Sequence, residues 1–253
     1  MNVNLIDFTG SGSSDPFYAA RLLLYTKSTR LGQGPAQREA FAKMGEAELL
    51  KELEYVATTI RSSWEFVDYT FEIQAVTRAF THQLVRTRTA SYAQEAQRVV
   101  NLSDFQALKP GTVIDVDTAR DGISTWDDLM ERIAATYAYY QSQGVPNQDC
   151  RGVLPTNVLT NIITKMNLRT LADILAKRKN LRAQGEYADV AREMEKLVLG
   201  VHPWTKPFLD PERTRTPALD AILARLLGNA SPIDRPEINA ALKELDTLKA
   251  TWG

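Results

Sequence analysis

Histidine and cysteine are almost absent from this sequence. Its 253 residues include two histidines, His82 and His202, and one cysteine, Cys150. A single cysteine excludes a disulfide within the chain and a zinc site built from thiolates, and two histidines exclude a multi-histidine metal centre. Because histidine is the usual acid-base side chain near neutral pH, any chemistry must depend on carboxylates, arginines, hydroxyls, a carboxylate-bound metal or an organic cofactor.

An excess of charge of one sign and a long apolar run are also lacking. Thirty Lys and Arg residues against 31 Asp and Glu residues leave a net charge of -1, which provides no broad field for nucleic acid or an anionic membrane. No window approaches the roughly 20 apolar residues of a membrane span, and the first residues lack the basic region of a signal peptide. We therefore expect a cytoplasmic protein with neither nucleic acid nor membrane as a partner.

The 44% of hydrophobic residues suffices for a core, and no linker divides the chain, so we predict a single domain over residues 1–253. Strict alternation predicts a strand over 67–74, and β-branched runs predict strands over 112–116 and 158–166. Helical spacing and capping signals predict helices over 16–26, 36–60, 77–85, 124–142, 168–178, 185–199, 218–227 and 236–248. Gly45 is a weak point of the second of these helices, and a capping box from Ser124 to Asp127 opens the fourth. This mixture is typical of an α+β fold.

One group of arginines lies in residues 83–98, at the exit of a predicted helix. Gln83 and Arg86 share a helix face, and Arg88 and Arg98 follow. Small residues between them would let backbone N–H groups approach a phosphate closely. The alternative is a solvated helix end, where arginines interact with the C-terminal dipole.

A second group comprises Arg151 and the predicted helix 168–178. Arg169 and Asp173 stand four residues apart, a spacing at which they can pair with each other. Arg178 emerges from the apolar stripe of this helix, where a cation needs a partner. That partner is either a carboxylate elsewhere in the chain or an anionic or enol-like ligand.

Taken in order, these segments resemble the flavin-dependent thymidylate synthase family. Its hallmark is Arg-His-Arg, seven residues and then Ser, and the same frame here runs from Arg86-Thr87-Arg88 through Ala90-Ser91-Tyr92 to Ala96 and Arg98. The family's Thr-Pro-Phe-Glu-His stretch falls on Ser62-Ser63-Trp64-Glu65. Later matches are Arg151 with Val153-Leu154-Pro155, Asn167-Leu168-Arg169, Arg178, Ala183-Gln184-Gly185-Glu186 and Pro203-Trp204-Thr205. The resemblance spans roughly residues 15 to 210.

The chain departs from the family pattern at several positions. Thr87 replaces the hallmark His, Ala93 and Gln94 replace its Asn and Glu, and Ala96 replaces its Ser. Ile60 and Phe66 stand where two further histidines are expected. These departures favour a divergent member, similar to the polyoxin-pathway enzyme that methylates UMP.

The resemblance implies a homotetramer with mixed helices around a small central sheet, and with FAD and nucleotide at subunit junctions. It implies C5-methylation of dUMP to dTMP, or of UMP to 5-methyl-UMP, with methylenetetrahydrofolate as carbon donor and NADPH-reduced flavin as hydride donor. The alternatives are hydroxymethyl transfer, action on a cytidine nucleotide, and a flavin- or nucleotide-binding protein without catalysis.

Site residues follow from the same resemblance, with no metal site among them. Flavin contacts are expected at Ser62, Arg86, Thr87, Arg88, Gln94, Asn167, Arg169 and Asp173. Nucleotide contacts are expected at Gln83, Arg86, Gln94, Glu95, Ala96, Gln97, Arg98, Arg151 and Arg178. The catalytic role falls to Arg178, which would stabilise the charge that develops when the uracil ring is activated at C5.

Overall fold

The structure of the chain, a computed structural model, describes residues 1–30, 32–59, 61–114, 122–178 and 185–209. The predicted helices at 218–227 and 236–248, the Ala183-Gln184 match and Ile60 lie outside these residues. The strands within them are β1 (Asn2–Phe8), β2 (Asp68–Thr77), β3 (Ser91–Gln94) and β4 (Leu159–Asn167). The helices are α1 (Tyr18–Arg30), α2 (Gly34–Lys43), α3 (Glu46–Thr59), α4 (Arg78–Leu84), α5 (Trp126–Ser142), α6 (Asn147–Cys150), α7 (Leu168–Arg178), α8 (Gly185–Val201) and α9 (Lys206–Leu209).

The four strands form one sheet in the order β1-β2-β4-β3. Strands β1 and β2 run antiparallel, because the side chain of Asn2 donates to Gln74 and that of Asn4 donates to Glu72. Helices and a small sheet in one chain confirm the α+β prediction. Three 3-10 turns, Arg61–Phe66, Arg151–Val153 and Pro203–Thr205, supplement the helices of the described residues.

Strand β2 confirms the alternation predicted over 67–74. The strand itself continues for three more residues, to Thr77. Val67, Tyr69, Phe71 and Ile73 are fully buried, while the intervening side chains are half-buried. Near its end Ala75 has a φ of 52°, in the left-handed region that costs a non-glycine residue about 1 kcal/mol. The hydroxyl of Thr77 then accepts a hydrogen bond from the backbone N–H of Phe80, at 3.0 Å, and caps α4. The strand thus leads directly into the helix that precedes the first arginine group.

The helix predicted over 36–60 is divided in two. Met44 takes an extended conformation (ψ of 132°) and ends α2, and α3 begins just after Gly45. The break falls at the predicted weak point, because glycine lowers helix stability by about 1 kcal/mol relative to alanine. One long helix was therefore the wrong prediction. Of the apolar residues at helical spacing in this segment, Phe41, Leu49, Leu53 and Val56 are buried, whereas Leu50 is exposed.

Three other local predictions need correction. Residues 112–114 of the strand predicted over 112–116 are irregular, with Ile114 80% exposed, and the rest lies outside the described residues. The stretch predicted as irregular up to Arg98 contains β3, whose four residues are too few to show a pattern. The N-cap of helix α5 is Thr125, one residue after the predicted cap, Ser124. The Thr125 side chain accepts a hydrogen bond from the N–H of Asp128.

The chain divides into two compact units, with boundaries inside β1, β2 and β4. The first unit is Met1–Asn4 with Phe71–Thr164, and the second is Leu5–Thr70 with Lys165–Gly253. The prediction of a single domain over the whole chain stays a prediction. Each unit carries one of the two arginine groups, apart from Arg151, which lies in the first.

Helix α7 positions the arginines of the second unit. It packs against the 61–66 turn, α8 and α9. Leu168, Leu171, Ile174 and Leu175 bury its apolar stripe, as the periodicity predicts, and burial of each side chain contributes about 1.5 to 3 kcal/mol. The polar face, with Arg169 and Asp173, is thereby held at the surface. In the part of the chain that is described, no helix is long and apolar enough to cross a membrane.

Candidate active site

In the first unit, the hallmark segment runs from the end of α4 through a turn into β3. The hydroxyl of Tyr92, on β3, lies 2.8 Å from the carbonyl of Leu84 and 2.9 Å from that of Thr87. The backbone N–H of Arg86 donates to the carbonyl of Gln83, at 3.3 Å. The tyrosine thus ties the strand to the helix end and shapes the loop that carries Arg86 and Arg88.

The arginines of this segment have no acidic partner in the described part of the chain. Arg86, Arg88 and Arg98 are exposed, and across the described ranges none of them forms an ion pair or a side-chain hydrogen bond. Arg151 is also exposed, and its Nε donates to the carbonyl of Gln148 at 3.0 Å. Unpaired guanidinium groups retain their full charge and their forked donors for an anion.

Gln94 and Glu95 have defined partners in the first unit. The Gln94 amide donates to the Thr81 hydroxyl at 2.7 Å, so part of its hydrogen-bonding capacity is used within the protein. The Glu95 carboxylate accepts from the Asn161 amide at 3.3 Å. Gln83, Thr87 and Gln97 are half-buried, whereas Ala96 is exposed and contributes only its backbone.

In the second unit, the predicted flavin residues lie on the 61–66 turn, at the last residue of β4 and on α7. The Ser62 hydroxyl accepts from the Arg30 guanidinium at 2.8 Å. The Asn167 side-chain oxygen accepts from the N–H of Thr170 at 2.9 Å, which satisfies one of the free donors at the start of α7. Its amide nitrogen stays available as a donor.

The predicted pairing of Arg169 with Asp173 is wrong. Arg169 pairs with Glu65 at 2.6 Å, and Asp173 pairs with Arg61 at 2.5 Å. Both carboxylate–arginine contacts join α7 to the 61–66 turn, a tertiary neighbour that sequence spacing on one helix could not reveal. The guanidinium of Arg61 also lies 5.1 Å from the centre of the Trp64 ring.

Arg178 is half-buried, as its place beside the apolar stripe predicts. Its guanidinium carbon lies 4.4 Å from the centre of the Tyr187 ring, which is buried on α8. No carboxylate of the described residues pairs with it. The expected alternative of a carboxylate partner therefore finds no support within those residues, and an aromatic face holds the cation instead.

The two histidines lie in different environments. His82 is exposed, whereas His202 is buried between α8 and the 203–205 turn, with its Nδ1 3.0 Å from the Tyr69 hydroxyl. Burial lowers the pKa of His202 to about 4, so the ring is neutral at neutral pH, and burial also raises the pKa of Tyr69. Cys150 is also buried.

Sequence reasoning missed Arg61, Glu65, Arg78 and Asn161. The first two act as partners of predicted residues, and only tertiary contacts reveal them. Arg78 stands at the start of α4, ahead of the hallmark, and its charge was the one available signal. In the described residues no group of three or more His, Cys, Asp and Glu side chains could hold a metal ion.

The fold and these side chains define an α+β protein with exposed arginines at the exit of α4 and in the turn after β3, and with half-buried arginines on α7. The family described as thymidylate synthase complementing protein (Thy1) matches residues 4–204, and the chain belongs to it. The assignment agrees with the resemblance read from the motifs.

Curated relatives carry the name flavin-dependent thymidylate synthase. The protein from Geobacter sulfurreducens is 34% identical over 194 residues, covering 72% of this chain and 82% of the relative. The protein from Clostridium tetani is 31% identical over 206 residues, covering 72% and 83%. The protein from Sulfurisphaera tokodaii is 30% identical over 215 residues, covering 83% and 78%.

Proposed function

We propose that this chain catalyses flavin-dependent methylation at C5 of a uridine monophosphate, either dUMP or UMP. The observation that carries the proposal is the hallmark segment itself. It presents Arg86, Arg88 and Arg98 at the surface with no acidic partner in the described residues, in the order that the family uses. The name of the relatives, thymidylate synthase, favours dUMP, and the replacements at Thr87, Gln94 and Ala96 keep UMP as the second candidate.

The donor set fits FAD and a nucleotide. A pyrophosphate and a phosphate each accept paired hydrogen bonds, which guanidinium forks donate. We assign the flavin contacts to side chains with guanidinium, hydroxyl, amide or carboxylate groups, namely Ser62, Arg86, Thr87, Arg88, Gln94, Asn167, Arg169 and Asp173. The nucleotide contacts are assigned to Gln83, Arg86, the 94–98 turn, Arg151 and Arg178. When bound, the reduced flavin supplies the hydride that completes the methyl group.

Arg178 has the catalytic role in this proposal. Tyr187 orients its guanidinium, and no carboxylate of the described residues neutralises it. A positive charge fixed before the reaction stabilises negative charge that develops on the uracil ring, without reorganisation at the moment of reaction. The chain needs no nucleophilic side chain for this chemistry.

Gln94 and Ala96 alter how the nucleotide is held. At Gln94 a neutral amide replaces a carboxylate, and its bond to the Thr81 hydroxyl fixes its direction. Ala96 removes a hydroxyl donor from the turn. Both changes affect positioning and leave the charge on the arginines intact.

NADPH and methylenetetrahydrofolate complete the proposed reaction, and we propose a cytoplasmic homotetramer with sites at subunit interfaces. Exposed apolar side chains of the first unit support assembly, because water contact with large apolar groups is unfavourable and such groups mark interaction surfaces. Those on α5 are Leu129, Tyr139 and Tyr140, and the one fully buried residue of this helix is Tyr137.

The test is turnover of dUMP and UMP side by side, in the presence of FAD, NADPH and methylenetetrahydrofolate. We expect tritium release from C5 of one of the two nucleotides and a product heavier by one methyl group. Arg178→Ala should lose at least about 100-fold in kcat, the scale of one preorganised electrostatic contact. Exposed Arg192, which pairs with Asp189 on α8, supplies the control Arg192→Gln, with full activity expected.

Other outcomes identify the alternatives. A product that retains an oxygen indicates hydroxymethyl transfer, and tritium release from a cytidine nucleotide indicates a different base. A yellow protein that binds flavin and releases tritium from no nucleotide is a binding protein without catalysis. Unchanged turnover in Arg178→Ala contradicts the role of that arginine.

A further inference from the structure

Thr81 is a fully buried residue of α4 whose hydroxyl contacts the side chain of Gln94 on β3. Both residues belong to the first unit. The hallmark segment, which runs here from Arg86 to Arg98, includes Gln94 but not Thr81. Because a buried hydroxyl must form its hydrogen bonds inside the protein, this contact determines which groups of Gln94 remain available to a ligand.

The Thr81 hydroxyl can only accept a hydrogen bond from Gln94. A hydroxyl donates one proton, and that of Thr81 donates to the carbonyl of Arg78 at 3.1 Å, a bond back into the preceding helical turn. Gln94 therefore meets an oxygen lone pair, to which its amide nitrogen donates at 2.7 Å. An ionised carboxylate at this position would have no proton to donate to the same oxygen.

This bond fixes which end of the Gln94 amide faces away from Thr81. Since the nitrogen binds the hydroxyl, the side-chain oxygen Oε1 lies on the other branch of the amide, and no group of the described residues donates to it. An amide oxygen has two lone pairs and no proton, so it binds only a donor. In this orientation the neutral Gln94 offers an acceptor, as would the glutamate that the family has at this position.

A second contact holds β3 against the same helix. Tyr92 and Gln94 are alternate residues of β3 and lie on one side of the strand, where both are half-buried, whereas Ser91 and Ala93 are exposed. The hydroxyl of Tyr92 lies 2.8 Å from the carbonyl of Leu84, at the end of α4. The strand is therefore joined to the helix at two points, and one of them sets the direction of the Gln94 amide.

We propose that Thr81 is a positioning residue, which holds Gln94 so that Oε1 accepts a hydrogen bond from a hydroxyl of the bound nucleotide or flavin. The inference rests on the proposed function for the identity of the ligands. An ionised phosphate offers acceptors, so the Gln94 oxygen does not bind it, whereas a hydroxyl donates a proton. Such hydroxyls occur on the sugar of the nucleotide and on the ribityl chain and ribose of FAD.

The experiment compares ligands with and without sugar hydroxyls. Dissociation constants of dUMP, UMP and 2′,3′-dideoxyuridine monophosphate are determined by calorimetry for the full chain saturated with FAD. The affinity for FAD is determined by fluorescence titration of the flavin-free chain. The variants are Thr81→Val, which replaces the hydroxyl by a methyl group, and Thr81→Ser, which retains it. Thermal unfolding is recorded for each variant.

Thr164→Val is the matched control. Thr164 is also fully buried and belongs to the first unit, but its hydroxyl has no hydrogen-bond partner among the described residues. The same chemical change there removes a hydroxyl without leaving a partner unsatisfied, so it should be neutral or stabilising. We expect this variant to bind every ligand as tightly as the unaltered chain does.

Thr81→Val should weaken binding of dUMP and UMP by about 2- to 10-fold, the contribution of one neutral hydrogen bond. Binding of the dideoxynucleotide should be unchanged, because it has no sugar hydroxyl to donate. Thr81→Ser should retain the affinity of the unaltered chain. If the flavin supplies the hydroxyl, Thr81→Val should instead lose the same factor in FAD affinity, with the nucleotide affinities unchanged.

A double variant tests whether Thr81 acts through Gln94. Gln94→Met removes the amide, so adding Thr81→Val to it should cause no further loss of dUMP or FAD affinity. Losses that multiply would show that Thr81 acts on another group, and they would overturn the inference. It is also overturned if Thr81→Val binds dUMP, UMP and FAD normally, or if the dideoxynucleotide loses as much affinity as dUMP.

Failure of the proposed function gives a different result. If the chain binds dUMP or FAD with the expected dependence on Thr81 but releases no tritium from any nucleotide, the positioning role stands and the methylation proposal fails. If methylation proceeds and Thr81→Val binds all ligands as the unaltered chain does, the methylation proposal stands and the positioning role fails.

Discussion

The arginines of the first unit and those of the second differ in what neutralises them. In the first unit Arg86, Arg88 and Arg98 are exposed and lack acidic partners among the described residues. In the second unit Arg61 and Arg169 are bound to Asp173 and Glu65, and Arg178 rests on an aromatic ring. Exposed arginines of the first unit can therefore bind an anion directly, whereas those of the second unit already contact a carboxylate or an aromatic ring.

This difference has a consequence for binding. Among the described residues no carboxylate competes with a ligand phosphate for Arg86 or Arg88, whereas at Arg169 a phosphate must displace Glu65. The displacement is mild, since ion pairs about half exposed contribute only about 0 to 1 kcal/mol. Side chains near 42 to 46% exposure, as in the Arg169–Glu65 pair, remain screened by solvent. In the second unit a ligand phosphate therefore replaces a carboxylate partner of the arginine, whereas in the first unit it binds the arginines directly.

The largest effect is expected at Arg86. Arg86→Gln removes charge-assisted contacts that we assign to both flavin and nucleotide, so kcat/KM should fall by at least about 100-fold. The free energy of unfolding should stay within about 0.5 kcal/mol, because the Arg86 side chain has no hydrogen-bond or ion-pair partner among the described residues. Steady-state kinetics and urea unfolding check both parts, with Arg192→Gln as the matched control. Destabilisation above 1 kcal/mol would contradict direct capture by a free arginine.

Acid should weaken the second unit more than the first. The folded-state pKa of His202 is about 4 and its ordinary value is 6.5, so the unfolded chain binds the extra proton first. The contribution of His202 to the free energy of unfolding is fully present above pH 6.5. It is lost as the pH falls towards 4, and the total loss is about 3 kcal/mol. Hydrogen exchange at pH 7 and pH 4.5 should show the greater loss of protection at Tyr69 and its neighbours in β2.

A His202→Phe variant tests the origin of that slope, because the ring contacts with Phe8 and Trp204 can persist without a titrating group. We expect lower stability at pH 7, through the lost contact to the Tyr69 hydroxyl, and a flatter dependence between pH 6.5 and 4. An unchanged slope would assign the acid sensitivity to other groups.

The smallest effect is expected at Glu65. Glu65→Gln frees Arg169 from its carboxylate partner, so flavin should bind a few-fold more tightly while the free energy of unfolding falls by less than about 1 kcal/mol. Flavin fluorescence titration and urea unfolding measure the two changes. Glu193→Gln disrupts another surface pair, with Lys196, and should leave flavin affinity unchanged. Weaker flavin binding in Glu65→Gln would show that Glu65 supports Arg169 and does not compete for it.

Regular periodicity made much of the fold predictable. The alternation at Val67, Tyr69, Phe71 and Ile73 identified β2. The apolar periodicity of α7 identified the face of this helix that is buried. The break at Met44 was less predictable, because helix propensity changes by only about 1 kcal/mol at Gly45 and tertiary packing decides the outcome. Strand β3 escaped prediction because four residues contain too little pattern.

The candidate site shows the same division. Motif order located the arginines, Gln94 and Asn167, and the apolar stripe indicated that Arg178 is half-buried. Spacing along one helix led to the wrong partner for Arg169, because the real partner, Glu65, is more than one hundred residues away in sequence. The contacts of Arg78 with the carbonyls of Val158 and Glu95 depend on how the 95–98 turn and the start of β4 fold, which no local signal encodes.

By itself the sequence determined the family and the residues that carry charge. Its shortage of histidine excludes the commonest acid-base machinery, and the order of its motifs is the basis on which we propose that arginine and flavin carry the chemistry. Only the tertiary structure decided which arginines are free and which are paired, since the energy of a charge depends on the groups within a few ångströms of it. Those neighbours come from distant segments, and folding alone brings them together.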